Sequence, residues 1–156
     1  NQLDHLIQAG IMVKGEYQLT DALDNMRQEG MVFKPGEVEE WLDCGNKDAA
    51  VMANQRYLEY IKDQNLIAPS LNKQNSIIIP PVYIGENVSI VNSIIGPHVS
   101  LGEKSQISNS IIKNSIIQNL TTIKDANIQN SMVGSHAEYK GTVRNLNLGD
   151  YNVLQE

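Results

Sequence analysis

Asn-Ser-Ile-Ile at residues 75–78 is the stretch that decides the fold, because the chain repeats it. The same tetrad occurs at 92–95, 109–112 and 114–117, and it returns as Asn-Ser-Met-Val at 130–133. The first three copies begin 17 residues apart, and the copies at 114 and 130 begin 16 residues apart. A fixed period of this length is typical of stacked coils that pack only against their neighbours. The sequence therefore predicts a mainly β protein built from repeated coils.

A shorter repeat lies inside each period. It consists of an aliphatic residue, three polar or small residues, and then a small or aliphatic residue. Because successive units start five or six residues apart, three of them make one coil, and we expect three short strands per coil in a triangular prism. The first residue of each unit should point inward. Each fully buried side chain of this kind stabilises the fold by roughly 1.5 to 3 kcal/mol. Ten consecutive units begin at Ile84, Ile90, Ile95, Leu101, Ile107, Ile112, Ile117, Ile123, Ile128 and Val133.

These units resemble the hexapeptide-repeat family, whose fold is a left-handed parallel β-helix. The resemblance implies that fold for residues 76–156, with about five coils. The handedness is implied by the resemblance alone, since crossovers between parallel strands are usually right-handed.

The first seventy residues follow a different pattern, which predicts helices. Apolar residues three or four apart predict a helix that ends at Gly10. A second helix is expected over 21–29, with Thr20 as its cap and with Leu23 and Met26 buried.

The pattern then changes to a predicted hairpin and a third helix. Two β-like runs, at 31–34 and 38–43, flank a Pro-Gly-Glu turn and predict two paired strands. Asn46 is expected to cap a long helix that runs to about Asp63. Its apolar face could cover the open first coil of the prism.

Charge and cysteine content exclude several classes of partner. The net charge is −6, and residues 1–70 hold 12 acidic against 6 basic side chains. An acidic chain without a basic run argues against a nucleic-acid or anionic-membrane partner. No apolar run approaches the roughly 18 residues that a membrane span needs. Cys44 is the only cysteine, so we expect no intrachain disulfide, no cysteine-based metal cluster and a reducing, cytoplasmic setting.

Two motifs in the first half resemble those of the sugar-1-phosphate nucleotidyltransferases, the family that includes glucose-1-phosphate thymidylyltransferase. Residues 15–22, Gly-Glu-Tyr-Gln-Leu-Thr-Asp-Ala, are similar to the family's Gly-Glu-x-x-Leu-Thr-Asp segment. Residues 41–46, Trp-Leu-Asp-Cys-Gly-Asn, are similar to its Trp-x-Asp-x-Gly-Thr segment. Order and spacing match, a β-helix often follows in that family, and residues 141–150 resemble the closing segment of such β-helices.

The resemblance implies a domain organisation and a reaction. Residues 1–66 would be the last part of an α/β catalytic domain, 67–75 a linker, and 76–156 the β-helix. The parent enzyme would convert a nucleoside triphosphate and a sugar 1-phosphate into an NDP-sugar and pyrophosphate, with Mg²⁺ as cofactor.

Four residues take roles by this resemblance. Asp43 would be one of two carboxylates that hold Mg²⁺, for which hard oxygen ligands are suited. Glu16 would line the sugar pocket, with Tyr17 and Trp41 nearby. Three of them have a structural alternative: Asp43 as a strand-end carboxylate before a glycine turn, Glu16 as a solvated loop carboxylate, and Trp41 as part of the core. Asn46 replaces the family's usual threonine.

The sequence lacks the family's glycine-rich nucleotide loop with its basic residues, the first metal-binding aspartate and the Glu-Lys pair for the sugar phosphate. A lone carboxylate without a phosphate cradle or a basic clamp cannot hold a nucleoside triphosphate. The first residues show neither an initiator Met nor a signal peptide and have a helical pattern. We therefore expect this chain to begin inside a longer one and to be inactive by itself.

Two other functions fit the prism. Many hexapeptide-repeat proteins transfer acyl groups with a histidine as general base, and His98 and His136 are the candidates, each with an exposed surface position as its structural alternative. His5 is expected to be exposed. The prism could instead be a non-catalytic assembly module, because flat repetitive faces favour symmetric self-association into a homo-oligomer.

Overall fold

The computed structural model describes residues 1–141 as two compact units. One unit ends at Trp41, and the other begins at Leu42 and contains the repeats. Three helices are present in the described part: α1 (Gln2–Ala9), α2 (Leu19–Gln28) and α3 (Lys47–Tyr60). None of these helices is long and apolar enough to cross a membrane.

Short parallel strands form three walls, which we name by their strands. The first wall is β1-β4-β7-β10-β13, the second is β2-β5-β8-β11, and the third is β3-β6-β9-β12. All pairs are parallel, as in the pairing of Ile95 with Ile112 and of Ile112 with Ile128. The strands are β1 (Asn72–Gln74), β2 (Ile77–Ile78), β3 (Val82–Ile84), β4 (Ser89–Val91), β5 (Ile94–Ile95), β6 (Val99–Leu101), β7 (Gln106–Ser108), β8 (Ile111–Lys113), β9 (Ser115–Ile117), β10 (Thr122–Lys124), β11 (Asn127–Gln129), β12 (Met132–Val133) and β13 (Glu138–Lys140).

This architecture is a parallel β-solenoid of about four turns, which confirms the predicted β-helix at that level. Each turn contributes one strand to each wall, and β13 follows the fourth complete turn. The expected fifth coil and nearly all of the closing segment 141–150 fall outside the described residues. The left-handedness stays a prediction.

The core confirms the predicted inward register. Val133, the first residue of the last unit, packs against the core while half-buried. The first residues of the other nine units are all buried: Ile84, Ile90, Ile95, Leu101, Ile107, Ile112, Ile117, Ile123 and Ile128. Because the walls are parallel and in register, each of these side chains stacks on its equivalent in a neighbouring coil.

Units of five and of six residues differ in a way that the repeat pattern did not reveal. In the six-residue units that begin at Ile84 and Ile95, the fifth residue, Val88 or Val99, is buried. In the five-residue unit that begins at Ile107, the fourth residue, Ser110, is buried and the fifth is exposed. The missing residue shifts the inward position by one, since side chains alternate between the two faces of a strand.

Buried serines are compatible with the core because their hydroxyl groups are hydrogen-bonded. The Ser93 hydroxyl donates to the Val91 carbonyl at 2.7 Å and accepts the Ser110 N–H at 3.0 Å. The Ser110 hydroxyl repeats this arrangement one coil on, donating to Ser108 and accepting from Ala126. A buried hydroxyl left unpaired would cost about 1 to 3 kcal/mol.

The asparagine of each tetrad forms a corner of the prism. Asn75, Asn92 and Asn109 have φ angles of 44°, 48° and 49°, in the left-handed region that asparagine tolerates better than most residues. Their side-chain amides form a ladder between coils: Asn75 donates to Asn92 at 2.9 Å, Asn92 to Asn109 at 3.3 Å, and Asn109 to Asp125 at 3.0 Å. The tetrad therefore encodes both a turn and a contact between coils.

The first unit departs from the predicted pattern in two places. The N-cap of α2 is Gln18 rather than Thr20, and the buried residue of α2 is Ala22, whereas Leu23 is exposed. The predicted strands at 31–34 and 38–43 are wrong, because neither run forms a strand. A strand needs a neighbouring strand that accepts and donates its backbone hydrogen bonds, and neither run belongs to a sheet of the described residues.

Helix α3 forms where it was predicted but lies elsewhere on the prism. The Asn46 side chain caps it by accepting the Ala49 N–H at 2.9 Å. The helix packs on β6 and β9 of the third wall rather than over the open first coil. Ile67 and Leu71 pack against the core at that end, and Ile67 pairs with Ile84 of β3. Within the stretch 67–75, expected to be a linker, Ile67 thus stacks on the first coil and β1 is the first strand of that coil.

The two isoleucines of β8 provide a matched test of the core. Ile112 is fully buried, whereas Ile111 is 44% exposed on the opposite face of the same strand. We expect Ile112→Ala to lower the free energy of unfolding by about 2 to 5 kcal/mol, because it leaves a cavity between coils. The control Ile111→Ala should cost less than about 1 kcal/mol. Urea denaturation followed by circular dichroism measures both, and equal losses would contradict the assigned register.

Candidate functional site: the Asp43 turn and helix α3

The predicted metal ligand, Asp43, lies in a tight turn just before α3. Its Oδ1 atom accepts the Gly45 N–H at 3.0 Å, which fits the expected carboxylate before a glycine turn, although no strand precedes it. A Cβ atom at residue 45 would come within 3.3 Å of Oδ1, so glycine suits this position. The Asn46 side chain caps the helix and is thereby engaged with the backbone.

Asp43 suits Mg²⁺ as a single ligand, because Mg²⁺ prefers oxygen donors and is often held by one or two carboxylates together with phosphates. Among residues 1–141 no group of three or more His, Cys, Asp or Glu side chains is arranged to hold a metal ion. The metal role of Asp43 stays a prediction.

Glu16 and Tyr17 lie in the first unit, in and after a tight turn. The backbones of Val13 and Glu16 exchange hydrogen bonds of 2.9 and 3.1 Å. The turn between them has Lys14 and Gly15 at φ angles of 53° and 83°. The Tyr17 hydroxyl donates to the Ile7 carbonyl at 3.4 Å, and the Glu16 side chain is exposed. The sugar-binding role of both residues stays a prediction.

Trp41, the last residue of the first unit, is 83% exposed. Among the described residues Trp41 is therefore not part of a core, so that alternative is wrong. An exposed indole has a large apolar face available for stacking. This position is compatible with the predicted substrate contact but does not test it.

Helix α3 is fastened to the third wall by side chains that the sequence reading did not single out. The Asn54 side chain donates to the His98 carbonyl at 3.4 Å and accepts the Ser100 hydroxyl at 2.6 Å. The His98 Nε2 atom lies 2.7 Å from Oε1 of Glu59. We call Asn54, Glu59, His98 and Ser100 the helix clamp. One signal could have revealed it: His98 and Ser100 flank the inward Val99 and so share the outer face of the wall.

The two candidate histidines have different surroundings. The His98 side chain is only 17% exposed, so its expected position on the open surface is wrong. His136 is exposed, as is His5. One ring nitrogen of His98 is already engaged by Glu59, and the acyltransfer role of either histidine stays a prediction.

The clamp changes the acidity of its carboxylate. The hydrogen bond from His98 lowers the pKa of Glu59, burial opposes that effect, and Lys62 at 3.4 Å adds to the lowering. Glu59 is still 40% exposed, so solvent screens these interactions and their energetic effect is small.

A second surface feature lies on the outer face of the second wall. Ile77, Ile79 and Ile111 are exposed there, and Ile94 between them is half-buried. We call these four residues the isoleucine strip. It runs beside the ladder of asparagine amides, so an apolar row and a polar row follow the same coils.

Comparison with known proteins adds no family. Neither a scan against models of known protein families nor a search of curated proteins matched the chain. The relationship suggested by the two motifs therefore depends on those residues and their spacing.

The lowered pKa of Glu59 predicts an acid-sensitive contact between α3 and the third wall. A carboxylate with a depressed pKa stabilises the folded state above its ordinary pKa, and this contribution is lost as the pH falls through the lowered value. We expect wild type to be more stable than Glu59→Gln at pH 7. The difference should shrink as the pH falls from about 5 to below the ordinary glutamate value of about 4.3. Urea denaturation across this range measures it, with the exposed Glu138→Gln as control. A difference that grows on acidification would contradict the assignment.

Proposed function

We propose that this chain supplies part of a sugar-1-phosphate nucleotidyltransferase, a cytoplasmic enzyme that makes an NDP-sugar and pyrophosphate. The observation that carries the proposal is the order of three features. The Gly-Glu-x-x-Leu-Thr-Asp-like segment at 15–22 precedes the Trp-x-Asp-x-Gly-like segment at 41–46, and a parallel β-solenoid follows. The first two features resemble segments of that family, and the third agrees with the architecture that often follows them.

On this proposal, exposed side chains in the two motifs contact the substrates. Asp43 would supply an oxygen ligand to Mg²⁺, which when bound screens the charge between the reacting phosphates. The Glu16 carboxylate would accept hydrogen bonds from sugar hydroxyl groups. Tyr17 and Trp41, both exposed, would pack their rings against the sugar or the nucleotide.

Nucleotide binding would need residues beyond those of this sequence. Triphosphates are commonly held by backbone N–H groups of a glycine-rich loop and by basic side chains. The 156 residues contain no such loop. On this proposal the chain alone is therefore expected to be inactive, and its two motifs do not identify the nucleotide or the sugar.

One observation favours a second function, a role of the solenoid in assembly. Ile77, Ile94 and Ile111 of the isoleucine strip are register partners in successive coils, so a surface that matches them must repeat at the spacing of the coils. The same strip on a second copy of the chain has that spacing. Self-association through the second wall would therefore cover it and form a homo-oligomer.

Release of pyrophosphate tests the proposal. The assay uses the 156-residue chain and a longer form that includes any residues encoded upstream of Asn1. Each is mixed with Mg²⁺, the common nucleoside triphosphates and a panel of sugar 1-phosphates. We expect no release from the shorter chain, and release from the longer form only when both substrates are present. Asp43→Asn should lower kcat of the longer form roughly a hundredfold or more, since it removes a metal ligand.

The control is Asp48→Asn, which removes an exposed carboxylate from the first turn of α3. It should leave kcat within about threefold of wild type, because surface substitutions usually have small effects. A longer form without activity, or an Asp43→Asn variant as active as the control, would overturn the proposal. The assembly role would then replace it if light scattering shows an oligomer that Ile94→Asp dissociates.

A further inference from the structure

Helix α3 connects the Asp43 turn directly to a wall of the solenoid. The helix begins at Lys47, four residues after Asp43, and Asn46 caps it. Whatever fixes α3 therefore also fixes the direction in which the turn at 43–46 leaves the helix.

Polar contacts fasten α3 at its start, its middle and its end. At the start, Lys47 Nζ donates to the Asn130 carbonyl at 3.1 Å, although the two residues are far apart in sequence. In the middle, Asn54 contacts both His98 and Ser100. At the end, Glu59 contacts His98.

The wall beneath the clamp is itself fixed from both sides. The His98 N–H donates to the Pro81 carbonyl at 2.8 Å in the previous coil. The His98 carbonyl accepts the Ser115 N–H at 3.1 Å from the next coil. Between His98 and Ser100, Val99 is fully buried in the core. His98 and Ser100 therefore present their side chains from a backbone that has little freedom to move.

Helix α3 depends on its contacts with the wall. A helix of this length is marginal in water by itself. Its buried apolar residues are only Val51, Ala53 and Leu58. Burial of the apolar residues stabilises the contact without direction, whereas hydrogen bonds are directional. The clamp therefore sets the position of the helix on the wall.

We propose that the third wall is a positioning platform for Asp43, and that Asn54, Glu59, His98 and Ser100 are positioning residues. They keep α3 in one place, so that the turn at 43–46 holds the Asp43 carboxylate in one orientation. The consequence for catalysis rests on the proposed nucleotidyl transfer, whereas the order of the turn is a property of the chain itself.

A natural probe sits inside this turn. Cys44 is exposed and is the only cysteine of the sequence, so a nitroxide spin label can be attached next to Asp43 without any substitution. The electron paramagnetic resonance spectrum then reports the mobility of the turn. We expect the labelled wild type to show a restricted spectrum, and Asn54→Ala/His98→Ala to shift most of it to the mobile component.

Two further variants separate positioning from a general loss of structure. His98→Gln retains a side-chain N–H donor for Glu59 and should keep the label nearly as restricted as in wild type. His136→Ala removes an exposed histidine that has almost the same backbone conformation, with a φ angle of 58° against 59° for His98. It should leave the spectrum unchanged. Circular dichroism of each variant checks that the solenoid is still folded.

The proposal is overturned if the double variant keeps a folded solenoid and a wild-type spectrum, or if His136→Ala mobilises the label equally. Kinetics of the longer form then test the catalytic consequence. A looser Asp43 should lower kcat between about tenfold and a hundredfold, with KM for the sugar 1-phosphate changed much less. If the double variant mobilises the label but the longer form has no activity, the positioning role of the wall is supported and the proposed function is overturned. If the longer form is active but the label is equally restricted in wild type and in the double variant, the proposed function is supported and the positioning role is overturned.

Discussion

Contact between equivalent side chains of successive coils is the interaction on which the rest of this structure depends. Ile95, Ile112 and Ile128 occupy the same register position in three successive coils, and each is buried. No coil can bury its inward residues alone, because it is only one strand thick. The core therefore exists only as a column, and its stability is approximately a sum over neighbouring coils. The three walls and the flat outer faces follow from this stacking.

Contacts at the corners of the prism fix the register in which successive coils stack. Asparagine turns the chain in the left-handed conformation, and its amide contacts the corner of the next coil. Serine satisfies its hydroxyl within the same turn and accepts an N–H from the next coil. Gly96 marks a place where a side chain cannot fit, since a Cβ atom there would lie 1.9 Å from the Ile79 carbonyl oxygen. A slip of one residue would break these contacts and move the inward isoleucines to the outer face.

The sequence revealed the parts of the fold that are repeated and missed those that occur once. The inward position of Ile84 and its successors followed from the period, because every coil repeats the same environment. The position of α3 on the third wall did not follow from the period, because Asn54 contacts His98 and Ser100, which are distant from it in sequence. The predicted strands at 31–34 and 38–43 do not form. The β propensity of a run shows that its residues can form a strand, but it does not identify the neighbouring strand that must pair with them. Asp43 does lie before a glycine turn, but no strand precedes it, and its metal role stays a prediction.

Hydrogen exchange resolved to single amides tests the stacked-coil account most directly. The account predicts slow exchange on all three walls for the strands of the inner coils, β4 to β9, because each of their coils lies between two others. It predicts faster exchange in β1 and β13, which lie at the edges of the first wall. Rapid exchange along one entire wall, with the other two protected, would contradict a closed solenoid with one continuous core.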